Sequence, residues 1–320
     1  MSNKNMHAAK RAKNDEFYTQ MPDIERELIH YREHFRDKVV YCNCDDPRSS
    51  EFFKYFAIYF NVLGLRKLIT TNYKPNEQAS KIEITAVEDL TGDGRIGLED
   101  VEYLLEHDED SLVLLEGDGD FRSEECVALL EEADIIITNP PFSLFREYVP
   151  QLIEYDKRFL IVGSINAITY KEIFPLLKEN RMWLGVNANK TMEFRLPDSY
   201  LKWSKVDVEG NKYGKVPGIT WYTNLEHGRR EEELLLYKRY TPEEYPQYDN
   251  YDAINVNRTA DIPYDYFDIM GVPITFFTKY NPEQFEIVGQ MATTKVTGFN
   301  FGYPYIGGKK KYARVLIQRR

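Results

Sequence analysis

Apolar residues along this chain fall into short runs whose period changes from segment to segment. Ile24, Leu28, Ile29 and Tyr31 to Phe35 recur at near-helical spacing and predict a helix from about Pro22 to Phe35. Val39-Val40-Tyr41-Cys42-Asn43-Cys44 reads as a strand that stops at Asp45-Asp46-Pro47. Ser49 or Ser50 can then cap an aromatic helix reaching toward Leu63, because a serine hydroxyl accepts an otherwise orphaned N–H. Lys67 to Thr71 reads as a second strand. Strand and helix continue to alternate through Ile82 to Val87, Val101 to Glu106, Leu112 to Leu115, Glu124 to Glu132, Asp134 to Thr138, Phe145 to Tyr155 and Phe159 to Ser164, with a last helix near Tyr170 to Glu179. Apolar strands separated by helices predict an α/β fold with a mostly parallel sheet covered on both faces. Ligands bind such sheets at the carboxyl ends of the strands, so the turns after Cys44, Leu115, Thr138 and Val162 carry the interest. After about Tyr237 the segments become shorter and rich in Pro and Tyr. The expected division is therefore a catalytic domain over residues 1–238 and a second region over 239–320.

Composition narrows the class. With 42% hydrophobic and 29% charged residues, a packed core is expected rather than wholesale disorder. No run of about 18 apolar residues exists to span a membrane. The first residues lack the apolar segment of a secretory signal. Three cysteines, an odd and sparse set, suit a reducing, cytoplasmic setting. Cys42 and Cys44 have no second Cys/His pair nearby and lie in an apolar run, so they are expected as small buried hydrophobes and not as metal ligands. The formal charge of −11 is unevenly placed. From Glu83 to Asp134, 19 acidic residues stand against Arg95 and Arg122, leaving −17, whereas the stretch from Ile287 onward has seven basic residues and no acid. Lys4, Lys10, Arg11 and Lys13 make the other end basic too. A phosphate backbone would be drawn to these ends.

The most informative segment is the strand Asp134 to Thr138 followed by Asn139-Pro140-Pro141-Phe142. Pro140 and Pro141 fix φ, lack N–H groups and hold Asn139 extended. That geometry can aim the Asn139 side-chain oxygen and the Pro140 carbonyl into one small space. Two acceptors facing one amino group are what an amino-methylating enzyme needs. An exocyclic adenine nitrogen is a poor nucleophile because its lone pair is delocalised. Hydrogen bonds to both of its protons favour the pyramidal form, whose lone pair can attack a sulfonium methyl. Phe142 can stack on the base, worth about 1–3 kcal/mol, and a base in a duplex must be flipped out to reach such a pocket.

These residues, with KNDEFYTQ, VVYCNCDDP, GDGDFRSEEC, DIIITNPPFSLFREY, ITWYTNL and GVPITFF followed by YNPEQFEIVG, resemble the EcoRI-type adenine-specific DNA methyltransferases over nearly the whole chain. The resemblance implies a Rossmann-like methyltransferase fold, S-adenosylmethionine as methyl donor, double-stranded DNA as partner and a C-terminal target-recognition region, within restriction-modification. It also implies catalysis by Asn139, Pro140, Pro141 and Phe142. Phe17, Tyr18 and Thr19 resemble the segment that closes over the methionine end of the cofactor. Asp120 and Phe121 match the pair that meets its adenine. Asp45 and Asp46 can accept from the ammonium, with Pro47 shaping the turn, although this turn lacks the usual glycines. Lys309, Lys310 and Lys311 read as a basic loop tip for phosphates, and Arg314 as reaching a phosphate or a base edge. The rival readings are methylation of an RNA adenine or a protein glutamine, and a catalytically silent DNA-binding protein; a monomer is favoured over an oligomer. Asp89 to Asp100 partly fits a calcium loop, but an alternating strand-like stretch precedes it, so a polar connector is expected.

Overall fold

The computed structural model describes residues 18–44, 46, 48–74, 77–107, 112–197, 200 and 202–320. Phe17, Asp45, Pro47 and the N-terminal basic residues lie outside them. In chain order the strands are β1 Tyr18–Thr19, β2 Val39–Asn43, β3 Lys67–Thr71, β4 Ser80–Ile84, β5 Leu112–Leu114, β6 Ile135–Thr138, β7 Arg158–Ser164, β8 Trp183–Leu184, β9 Met192–Leu196, β10 Lys205–Val206, β11 Lys212–Val216, β12 Ile219–Thr223, β13 Ile254–Asn255, β14 Met270–Pro273, β15 Phe285–Met291, β16 Tyr305–Ile306, β17 Lys309–Lys310 and β18 Arg314–Arg319. Among the described residues no helix is long and apolar enough to cross a membrane.

The chain divides into two compact units, Met1–Ser164 with Lys190–Leu225, and Ile165–Asn189 with Glu226–Arg320. This is not a single cut at 238/239. The early segment joins the second unit because its side chains are anchored there. Lys178 donates to the Ile287 carbonyl at 2.8 Å, and Phe174 stacks on Phe299 with ring centroids 5.6 Å apart. Composition changes near Tyr237, but the chain has already crossed at Leu225.

In the first unit the main sheet runs β5-β4-β3-β2-β6-β7-β12. Its centre, β3, β2, β6 and β7, is parallel, while β4, β5 and β12 pair antiparallel. The expected mostly parallel sheet is thus a mixed one, and burial explains the difference. β2 and β6 are buried at every position, as parallel strands covered on both faces require, whereas β4 alternates buried with half-buried residues. The flanking helices form as their caps dictate. The Ser50 hydroxyl accepts from Phe53 N–H ahead of Glu51–Ile58, and that of Ser123 accepts from Cys126 N–H ahead of Glu124–Glu132. The expected first helix is helical over Met21–Leu28 and tightens to 3₁₀ over Ile29–His34. The helix expected near Tyr170 to Glu179 is confined to Phe174–Lys178, because Pro175 suits a first turn and cannot sit inside a longer helix. A second sheet, β1-β9-β11-β10, completes this unit.

The second unit is built on the sheet β13-β14-β18-β15 and carries the separate hairpin β16-β17. Met270, Val272, Ile287, Val315, Leu316 and Ile317 fill its core.

Candidate active site

The parallel pairing of β2 with β6 (Val40 opposite Ile135, Tyr41 opposite Ile136) brings their carboxyl ends side by side. Polar bonds fasten that edge. The Thr138 hydroxyl donates to the Asn43 carbonyl, and the Tyr148 hydroxyl donates to the Asn43 side-chain oxygen. Asn43 and Thr138 are both buried. Asn139-Pro140-Pro141-Phe142 leaves β6 at this point, with Pro140 buried and Asn139, Pro141 and Phe142 half-buried. Leu144 N–H closes the turn onto the Pro141 carbonyl at 2.9 Å, and the helix Phe145–Glu154 follows.

At the β2 exit Cys44 is left-handed, φ 63°. A non-glycine residue there costs about 1–2 kcal/mol. The tight turn expected of glycine is thus made by cysteine, and such local strain collects at ligand-binding turns. Asp46 then shapes the next turn. Its carboxylate accepts from Arg48 N–H at 3.0 Å and from the Asn72 amide at 3.4 Å, while its carbonyl takes the N–H groups of Ser49 and Ser50. Asn72, just after β3, also accepts from Ser80 N–H at 2.8 Å and so ties β4 to the same edge.

The Gly117 to Phe121 turn packs directly on Asn72. Gly119 has φ 78°, and a Cβ there would lie 2.0 Å from the Asn72 carbonyl oxygen. Phe121 is buried, its ring edge-on to Tyr148 at 5.1 Å. It therefore forms part of the wall behind Asn43. Asp120 is placed otherwise than expected, because both its oxygens are taken by the Arg122 guanidinium at 2.9 and 2.6 Å. That pairing holds its carboxyl below the usual aspartate range. An incoming amino group must share Asp120 with Arg122.

β1 splits the expected cofactor lid between two faces. Thr19 is buried against the helix Glu51–Ile58, and its hydroxyl has no hydrogen-bond partner among the described residues. An orphaned buried hydroxyl is costly unless a ligand satisfies it, so Thr19 fits a cofactor-binding role. Tyr18 points to the opposite face, its ring under the Arg195 guanidinium at 4.3 Å.

In the second unit the expected DNA-binding residues separate. Lys309 and Lys310 are exposed on β17, Lys311 is half-buried, and the Lys310 ammonium sits 3.2 Å over the Tyr303 ring centroid. The hairpin turn at Gly307 and Gly308 (φ 55° and 72°) is gripped by the Asp249 carboxylate, which accepts both their N–H groups at 2.9 and 2.7 Å. Arg314 is a correction. Expected at a phosphate or a base edge, it is instead buried, with Nε donating to the Asn255 side-chain oxygen at 3.1 Å and Nη1 donating to the carbonyls of Tyr312 and Ala313.

In the Asp89 to Asp100 segment two acids hold the local backbone, Asp89 from an exposed position and Asp100 from a buried one. Asp89 accepts from the N–H groups of Gly92 and Gly94, and Asp100 from those of Leu90, Thr91 and Gly97. These carboxylates already organise a connector. Cys42 is buried as expected, whereas Cys44, expected buried, is only half-buried at the strand exit; Cys126 is buried too, and burial pushes its thiol up. Sequence reasoning missed Asn43, Asn72 and Tyr148. The one available signal was Asn43, a polar residue closing the otherwise apolar strand β2.

Comparison with known proteins follows the same line. A family profile described as adenine-specific methyltransferase EcoRI matches residues 5–320. The type II methyltransferase M.EcoRI of Escherichia coli is 48% identical over 331 residues, covering 100% of this chain and 97% of its own. M.MgeORF184P of Mycoplasma genitalium is 37% identical, covering 98% of each chain, and M.MpnI of Mycoplasma pneumoniae is 36% identical, covering 98% and 97%. No solved structure matches the chain.

Proposed function

This chain belongs to the EcoRI family of adenine-specific methyltransferases, and from that membership we propose that it transfers a methyl group from S-adenosylmethionine to N6 of an adenine flipped out of duplex DNA. The observation that carries the reading is the Asn139 to Phe142 turn, held against the β2 exit by the Thr138 and Tyr148 bonds to Asn43. Asn139 and the Pro140 carbonyl accept the two N6 protons, and Phe142 stacks on the base. No strong general base is needed, because the nitrogen becomes acidic as it gains the methyl. Bound S-adenosylmethionine supplies an electrophilic methyl group on a sulfonium. The buried Thr19 hydroxyl and Asp46 would hold its methionine end, and the wall that includes Phe121 would lie against its adenine.

Asn139→Ala is the direct test. Loss of one preorganised partner of the transition state lowers rates by about 10²–10³, so methyl transfer to duplex DNA falls at least that far while cofactor binding survives. Parallel tritium-transfer reactions on duplex DNA, RNA and protein identify the substrate class. Wild-type activity retained in Asn139→Ala, or transfer to RNA or protein in preference to DNA, would sink the proposal.

A further inference from the structure

The sheet β1-β9-β11-β10 aligns a row of side chains that the adenine chemistry does not use. The registers place Tyr18 opposite Arg195, Arg195 opposite Tyr213, and Tyr213 opposite Lys205, so one row crosses all the strands and alternates aromatic with cation. Cross-strand partners share a face, and these contacts close the row. The Arg195 guanidinium lies 4.3 Å over Tyr18, and the Lys205 ammonium lies 5.0 Å over Tyr213. The opposite face is buried through Thr19, Met192, Phe194, Leu196 and Val216. The ladder therefore lies on the outer face of its sheet.

Its charges are available. Among the described residues, neither Arg195 nor Lys205 has a carboxylate within the 4.0 Å of an ion pair. Acids lie close to the row as well. Asp207 accepts the N–H groups of Glu209 and Asn211 and the Tyr213 hydroxyl, which steadies the Tyr213 ring, and Glu193 stands opposite Lys215 in the adjacent row. Arg195 and Lys205 are two strands apart, roughly 9.6 Å at the spacing of neighbouring strands. Stacking on the rings holds both cations ready, which reduces the side-chain entropy lost on binding.

We propose that this face is a DNA-backbone contact surface of the first unit, separate from the Lys309 to Lys311 hairpin, with Arg195 and Lys205 meeting phosphates. The proposal rests on the DNA-methyltransferase reading above.

The test uses the full chain and a fluorescent duplex containing its methylation site, titrated between ~50 and ~200 mM salt. In the double variant Arg195→Gln with Lys205→Gln, the plot of log affinity against log salt becomes shallower by about 0.9 for each lost phosphate contact, about 1.8 in all. The effect on turnover falls on KM for DNA. Lys205→Arg keeps the wild-type slope. Lys205→Glu, at an exposed edge strand where folding is little disturbed, weakens binding more at low salt than at high salt. A wild-type slope in the double variant, or equal weakening by Lys205→Glu at every salt concentration, overturns the proposal; binding of an acidic protein rather than DNA to this face does so too. Wild-type protein that binds duplex DNA without methylating it would instead defeat the functional reading and leave the ladder standing.

Discussion

Gly119→Ala probes how tightly the Gly117 to Phe121 turn is set against the end of β3. An alanine at φ 78° first meets the left-handed penalty of about 1–2 kcal/mol. Its Cβ would also lie 2.0 Å from the Asn72 carbonyl oxygen and 2.9 Å from the Ala79 side chain. Neither is the yielding end of a long side chain, so the turn itself must move. Moving it strains the bonds that fix it, from Lys74 N–H to the Asp118 carbonyl at 2.8 Å and from Ala79 N–H to the Gly117 carbonyl at 2.9 Å. Each contributes about 0.5–1.5 kcal/mol net, so the expected total is roughly 2–5 kcal/mol. The loss is expected partly as lowered stability and partly as weaker cofactor binding, where every ~1.4 kcal/mol is tenfold. Gly117→Ala is the internal control, since a Cβ there meets only the Glu125 carboxylate, at 3.7 Å. Urea denaturation and calorimetric titration with S-adenosylmethionine, run on both variants, give the two components. If Gly119→Ala matched Gly117→Ala in both measurements, the packing argument and the assignment of this turn to the cofactor would be wrong.

Tyr148→Phe removes the hydroxyl donated to buried Asn43 and should lower stability by about 1–3 kcal/mol in urea unfolding, with a fall in methyl transfer; a neutral variant would refute the role given to that bond. Arg122→Gln releases Asp120, whose carboxyl Arg122 holds below the usual range of about 3.9. The stability from this pairing is present above the ordinary aspartate pKa and lost as pH falls through the lower folded value, so the variant should lose that part of the acid limb in unfolding measured from about pH 5 to pH 2. An acid limb identical to wild type would count against the pairing. Replacing Lys309, Lys310 and Lys311 together by Gln should weaken duplex binding and flatten its salt slope by up to about 2.7; an unchanged slope would place the DNA surface elsewhere.

Where one physical demand dominated, the sequence was a good guide. β2 and β6 are largely apolar and buried at every position because both faces of the sheet are covered, and Ser50 and Ser123 mark their helices by supplying an acceptor. Strand direction was harder to read, since β4 declares itself antiparallel only through its alternating burial. The motif Asn139 to Phe142 was legible because two prolines after a buried strand are conspicuous. Partner choice was not. Arg314 looks like a phosphate ligand in a basic tail, yet the acceptor that claims it, Asn255, is 59 residues away in sequence. Arg122 is only two positions from Asp120, but the fork that captures both oxygens depends on side-chain torsions that no spacing rule contains.

The grip of Asp249 on the Gly307 and Gly308 amides has a kinetic consequence. A freely moving lysine loop would lose conformational freedom at each encounter with DNA, whereas this hairpin is already ordered when the chain folds. Breaking the grip should therefore slow productive association and leave the charge of the surface almost intact, making an acidic residue a determinant of how quickly a polyanion is captured.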